Sequence, residues 1–511
     1  MLKKVLFSSL CLLLACSLSA CDWNDPPNDS SSGVSQQLSS SASSSGSTEP
    51  EGLESLSLPI DASDSFHPYK ARSRTNISLL SLLYDPLVKI NPDYGLDYEI
   101  AQSVTVSGTT VTVTLREGIA FTDGSPVTAA DVAYSLSEAK AAGSSFATKV
   151  DNIASVTAQG NTVVINLTSP DSLFAYALDV PIVKSGSLTD SGAVGSGRYQ
   201  LVNENGAYRL TYNTAHYKQQ TPKFTEISLI GMPSWDAITA GVKIGTVNYV
   251  YTDDINSALT GSGAAVGSAP LNHLLFVGIN SSTGATADPK VRQAIASVID
   301  RDKMVSDVYG GKGTAAALPY REGMGLGELP DGFGTDTERA NTLLDEAGFT
   351  EKDTYDVRQT NGGALTFEIL VPQDSAYKVV AANTLVEQLR ACGVKATVTG
   401  VDDETYTDRI AKGNFQLYIG EIVLESNLDL TPFFGGGAAS YGIVLPDEFK
   451  AAYDAFLNSA DSYGEYAAQF AQAMPFIPIA FANATVIYSR NLGGTITPSV
   501  SDAFYNIEQW Q

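Results

Sequence analysis

Between Leu274 and Ile419 the chain alternates continuous apolar runs with amphipathic stretches, and few folds tolerate that order. Leu274 to Ile279 reads Leu-Leu-Phe-Val-Gly-Ile, without a polar residue, as a strand covered on both faces requires. Asp288-Pro289 then supplies a helix N-cap and a proline at the first helical position. Val291, Ile295, Val298 and Ile299 fall on one face of that helix. Glu338 to Ala347 reads as a helix closed by Gly348. A strand over Leu365–Leu370 precedes a helix over Lys378–Ala391, with Val379, Leu385, Val386 and Leu389 inward. Ala396–Val401 and Phe415–Ile419 are further strands. Repeated strand–helix–strand order predicts an α/β fold.

The region before it is richer in strands. Thr109 to Leu115 places apolar residues at 111, 113 and 115, the alternation of a half-buried strand. A turn at Asp123-Gly124-Ser125-Pro126 leads to Thr128, an N-cap with Asp131 three residues on. That helix runs to a stop at Gly143. Asn161–Leu167, Arg198–Val202, Tyr208–Tyr212 and Glu226–Ile230 read as strands, and Trp235–Val242 as a helix. The segment 475–511 reads as strand-rich, returning to the first part of the fold. A chain of 511 residues exceeds one simple core, so two or three domains are expected.

The first fifty residues follow other rules. Lys3 and Lys4 precede an apolar run from Leu6 to Ala15, and Leu18-Ser19-Ala20 leads into Cys21. Basic start, short apolar core and small residues are the marks of a secretory signal, here residues 1–20. Leu-Ser-Ala-Cys resembles the lipobox of bacterial lipoproteins, which implies lipidation of Cys21 and an anchor in the membrane. From Ser30 to Ser47, eleven of eighteen residues are serine. Such a stretch has too little apolar surface to fold, so residues 21–52 read as a tether.

Charge and rare residues exclude several classes. The formal net charge is −25, which disfavours nucleic-acid binding and adhesion to anionic lipid. After Cys21 only Cys392 remains, so the folded part has no intramolecular disulfide. Cys392 reads as a small buried residue. No G-x-S-x-G, G-x-x-x-x-G-K, H-E-x-x-H or C-x-x-C occurs, so no catalytic residues and no cofactor are expected. His67, His216 and His273 are scattered and offer no metal-ligand spacing.

Several segments then match one family in order. Val113 to Leu136 contains Leu-Arg-Glu-Gly-Ile-Ala-Phe-Thr-Asp-Gly-Ser-Pro-Val-Thr-Ala-Ala-Asp-Val. Gly195-Ser-Gly-Arg-Tyr199, Asp288-Pro-Lys-Val-Arg-Gln-Ala-Ile to Asp300-Arg301, and Ala340 to Phe349 follow. The chain resembles the extracellular solute-binding proteins of the peptide/nickel class, receptors of oligopeptide and dipeptide ABC importers. Arg198 departs from the proline usual there. The resemblance implies a two-lobed, periplasmic-binding-protein-like α/β fold, with the lobes joined by a hinge. Lobe I would comprise 53–72, 193–270 and 481–511, with an extra subdomain over 73–192; lobe II would be 271–480. Arg292 and the pair Asp300-Arg301 are expected to make structural ion pairs.

The same resemblance implies function. A lipid-anchored monomer on the outer cell surface, of Gram-positive type rather than periplasmic, would capture a short peptide. It would deliver that peptide to permease subunits driven by cytoplasmic ATPases. A receptor for a nickel or metallophore complex and a peptide-pheromone sensor are the alternatives. In the peptide-binding branch an acid of lobe II pairs with the ligand ammonium. Asp429 is the positional match, with Glu421 and Glu425 as competitors, although the usual tryptophan is absent and Asp-Pro has become Asp429-Leu430. Tyr441, Tyr84 and Trp235 are the aromatic candidates.

Overall fold

Two long strands organise the molecule, Ala264–Ile279 and Phe476–Ser489, paired antiparallel along their length. A computed structural model describes residues 52–255, 263–330 and 332–511. The signal, Cys21 and all but Gly52 of the tether therefore lie outside the described residues. The pair sits in a seven-stranded sheet. Its order is Tyr249–Thr252, Phe476–Ser489, Ala264–Ile279, Leu417–Val423, Thr366–Pro372 and Lys395–Val401, with Gly313–Ala315 also on Phe476–Ser489. The last three strands in the order run parallel to one another, and helices such as Ala376–Arg390 make the crossovers.

The long strands change surroundings midway. Ala264 to Pro270 pairs with Asn483 to Ser489, and Leu274 to Gly278 with Phe476 to Phe481; the register slips between Pro270 and Leu274. Proline offers no ladder N–H, so a break there is natural. On one side lies a core built from residues 53–249 and 486–510, including Leu58, Leu82, Val113, Ile227 and Trp510. On the other lies a core built mainly from 274–481, including Phe276, Ile295, Leu385, Phe449 and Phe476. Ile90, Tyr94, Leu173 and Tyr176 reach into this second core from the first half of the chain.

Two four-stranded sheets belong to the first half. One has the order Leu56–Ile60, Glu226–Gly231, Ala207–Tyr212, Tyr199–Glu204. The other runs Ala101–Ser107, Thr110–Leu115, Thr162–Leu167, Ile153–Gln159. The helix Ala129–Lys140 starts with the expected capping box: Thr128 N donates to Asp131 (2.9 Å), and Asp131 N donates to Thr128 Oγ1 (3.4 Å). Asp288 caps the helix Pro289–Val298 through Lys290 N at 2.8 Å.

Three local expectations change. Among the described residues, Arg292 and Arg301 form no ion pairs. Arg292 donates to the carbonyls of Thr286, Ala287, Ala473 and Met474, and Arg301 to those of Ala316, Phe333 and Pro478. Buried carbonyls need donors, and a guanidinium fork reaches several at once. Asp300 caps its own helix through Lys303 N. After Ser489 the chain forms no further strand and ends in turns that bury Phe504 and Trp510 in the first core. Cys392 is buried, with its thiol pushed up to about 11 by burial.

Candidate ligand-binding site

The site begins with the helix Arg74–Leu83. Ser73 caps it, accepting from Asn76 N, and Leu79, Leu80, Leu82 and Leu83 anchor it in the first core. That leaves Arg74, Ile77, Ser78 and Ser81 facing a cavity of ≈ 370 Å³. Leu271, Asn272 and His273, at the break in the long strand, line it too. So do Val423 to Ser426, where the strand Leu417–Val423 ends, and Val500 to Ala503 near the C-terminus. A larger cavity of ≈ 650 Å³ lies elsewhere and is lined only by residues 63–208. The smaller one draws on both halves of the chain, where ligand pockets preferentially lie.

Charges in the wall are held in pairs. Asp502 is buried and pairs with Arg198 (2.8 Å) and Lys89 (3.0 Å), while Ser81 Oγ donates to it at 2.6 Å. Burial alone would raise its pKa, but Arg198 and Lys89 hold the carboxyl well below its usual range. Lys149 donates to Asp179 (2.7 Å) and to Ser426 Oγ (2.8 Å). Arg74 pairs with Asp253 at the rim. His273 Nδ1 lies 3.0 Å from Glu421, which also accepts from the Tyr377 hydroxyl. Burial opposes ionisation of Glu421, yet His273, Tyr377 and Lys378 together keep its pKa lowered.

The loop after Val423 is tied to the first half of the chain. Asn427 donates to Asp171 at 2.7 Å. The Tyr94 hydroxyl donates to Asn272 Oδ1 (2.6 Å) and lies 3.2 Å from the Ser426 carbonyl. Leu428 takes φ of 53°, a left-handed turn costly for leucine; the fully buried side chain and a 2.8 Å bond from its N–H to the Glu425 carbonyl offset that cost. Glu425 itself is half-buried, lines the cavity and forms no ion pair among the described residues. Burial raises its pKa, with Asp179, Asp151 and Asp429 adding to the effect and Lys149 opposing it.

Of the six residues singled out from sequence, Glu425 and Tyr84 line this cavity. The Tyr84 hydroxyl is occupied, donating to the Phe66 carbonyl and accepting from Ala193 N. Glu421 stands behind His273. Asp429 closes a local turn before a short helix, accepting from Thr431 N (3.1 Å) and Oγ1 (2.9 Å). Tyr441 is exposed, and Trp235 packs half-buried against Ile238 and Val242. Arg74, Lys149, Asp179, Asn272 and Asp502 gave no sequence signal, because they meet only when distant segments fold together.

Comparison with known proteins places this architecture. Residues 96–439 match the sequence model of the bacterial extracellular solute-binding proteins, family 5 Middle. The chain belongs to that family. It is thereby a substrate-binding component of the peptide/nickel ABC importer class. As a family 5 protein it is similar to the oligopeptide-binding protein AppA of Bacillus subtilis (strain 168), 22% identical over 98% of this chain and 97% of that one. It is also similar to the glutathione-binding protein GsiB of Escherichia coli (strain K12), 25% identical over 84% of this chain and 88% of that one. Among solved structures, the periplasmic murein tripeptide binding protein MppA, in its unliganded open form, superposes with a TM-score of 0.73 at 20% identity. That match covers 90% of this chain and 98% of MppA. The relatives are solute-binding proteins rather than enzymes. Among the described residues, no helix is long and apolar enough to cross a membrane.

Proposed function

We propose that this family 5 receptor captures a short peptide in the cavity between its two cores and hands it to a membrane permease without altering it. The observation that carries this reading is Glu425, a half-buried carboxylate facing the cavity and without an ion-pair partner among the described residues. A peptide ammonium is its natural complement, since an unpaired buried charge is costly. The names of relatives agree: one binds oligopeptides, one glutathione and one a murein tripeptide. Glu425 takes the role that position alone gave to Asp429, because the Asp429 carboxylate is occupied by its own turn with Thr431.

We further propose that the wall residues move with two lobes. Lobe I comprises 53–72, 193–270 and 481–511, with 73–192 as its subdomain, and lobe II is 271–480. The register slip between Pro270 and Leu274 supports a hinge there. Closure over ligand shifts an existing open–closed balance through contacts made only when closed. Cys21 and the serine-rich stretch hold the receptor, as a monomer, at the outer face of the membrane near its permease.

Thermal shift against a random peptide library tests the central claim. Stabilisation by peptides is expected, and Glu425→Gln should weaken binding at least about tenfold. Stabilisation by another solute class, with none by peptides, would remove the peptide reading.

A further inference from the structure

The larger cavity, of ≈ 650 Å³, shares only Tyr84 with the smaller one. One of its walls is Tyr199–Glu204, the edge strand of its four-stranded sheet. The hairpin to Ala207–Tyr212 closes on the pair Glu204 and Ala207, so Leu201 and Asn203 aim their main-chain N–H and C=O away from the partner strand. Both residues line the cavity, as do residues of the loop 187–195 and of the segment 63–66. Hydrogen bonds pin those two segments together. Phe66 N donates to the Ser191 carbonyl (3.2 Å), and the Tyr84 hydroxyl donates to the Phe66 carbonyl (3.0 Å) while accepting from Ala193 N (3.1 Å).

The lining selects by charge. Among the described residues it holds no lysine, arginine or histidine, so a phosphate or carboxylate would meet no base. Its two carboxylates offer a cation little. Asp64 is occupied by Arg72 N and Ser73 N, each at 2.7 Å, and Asp190 is exposed to water, where an ion pair contributes little. What remains is neutral. The Tyr208 and Thr122 hydroxyls have no hydrogen-bond partner among the described residues, and each can donate and accept. Beside them lie the rings of Phe66 and Tyr208, with centroids 5.9 Å apart and planes at 49°. An apolar ligand would leave the hydroxyls and the strand edge unpaired. A ligand polar on every side would leave the rings without a partner. A sugar ring, with hydroxyls at its rim and C–H groups on its face, satisfies both.

We propose that this cavity is a second binding site and that it takes a short, uncharged saccharide. Sugar hydroxyls pair with the strand edge at Leu201 and Asn203 and with Thr122 and Tyr208, and a ring face lies against the aromatic pair. The lining residues all lie between 63 and 208, within the proposed lobe I, so the site fills without lobe closure and without peptide.

Calorimetry on the purified full-length protein tests this with maltotriose, cellotriose and the trimer of N-acetylglucosamine. Trigalacturonate serves as the anionic counterpart and the glucosamine trimer as the cationic one. At least one neutral trimer is expected to bind, and trigalacturonate is not. Tyr208→Ala should weaken binding by about tenfold. Ser191→Trp, at an exposed position on the cavity wall, should fill the space and abolish binding while thermal unfolding stays unchanged. Hydrogen exchange on the wild type reads the same site without a substitution: the sugar should slow exchange at Leu201 and Asn203. Failure of every neutral trimer, binding that Ser191→Trp leaves intact, or protection confined to other segments would overturn the proposal. Tighter binding of a charged trimer than of any neutral one would overturn it too.

Discussion

Asp502 shows how one residue late in the chain holds several early ones. It is fully buried against Arg198 and Lys89 and accepts from Ser81. Replacing it in Asp502→Asn leaves two buried cations short of a counter-charge, at a cost of about 3 kcal/mol. Urea unfolding at neutral pH should record that loss. The pH dependence follows from the sign of the shift. The folded carboxyl titrates below its unfolded value, so its contribution is complete above about pH 4 and drains away as pH falls toward the folded pKa. The gap between wild type and Asp502→Asn should therefore narrow in acid. A constant gap would mean that the charge is not what matters. None of this could be read from sequence, since Asp502 lies in an unremarkable Ser-Asp-Ala and its partners are some 300 and 400 residues away. Glu425 was legible as one of three acids in a loop. Choosing among them required knowing that Asp429 bends back onto Thr431.

At the level of elements, the joint between Ala264–Ile279 and Leu417–Val423 is built from glycine facing aromatic. Phe276 lies opposite Gly420, and Gly278 opposite Tyr418. A Cβ on Gly278 would fall 2.0 Å from the Tyr418 ring, and one on Gly420 2.3 Å from Phe276. The two rings meet edge to face at 5.7 Å because each glycine leaves room for the ring across from it. Gly278→Ala should destabilise the protein by about 2 kcal/mol, the order expected for overpacking, as measured by thermal unfolding. Retained stability would show that the rings can repack. The apolar run at Leu274–Ile279 was plain in the sequence, but the strand's earlier half was not: Gly267, Ser268 and Pro270 break the pattern, and pairing with Asn483–Ser489 overrides it. The helix Arg74–Leu83 was missed because its serines and lack of an acidic first turn dilute the periodicity. The helices Asp447–Asn458 and Tyr463–Ala473 were not read from sequence either, although Phe449, Ala452 and Phe456 fall on one face.

For the whole molecule, the proposed anchor makes a simple prediction. Cys21→Ser should move the receptor from the membrane fraction to the soluble fraction of a producing cell, with peptide binding intact. Unchanged membrane association would exclude lipidation at Cys21. The family was legible because its shared segments are turns, caps and packing positions, such as Asp123-Gly124 and Thr128, whose physics is local. The cavity was not, because it is a product of topology.

The strand common to both cores also dictates when the protein can fold. Phe476–Ser489 is flanked by Ala264–Ile279, Tyr249–Thr252 and Gly313–Ala315, yet most of the chain precedes it. Until it has been synthesised, neither core has its central strand, and long-range pairing cannot reward the loop closures it requires. A chain so arranged stays unfinished, and threadable, through most of its translation. For a member of an extracellular solute-binding family, lateness of this kind withholds the finished fold until the chain is nearly complete.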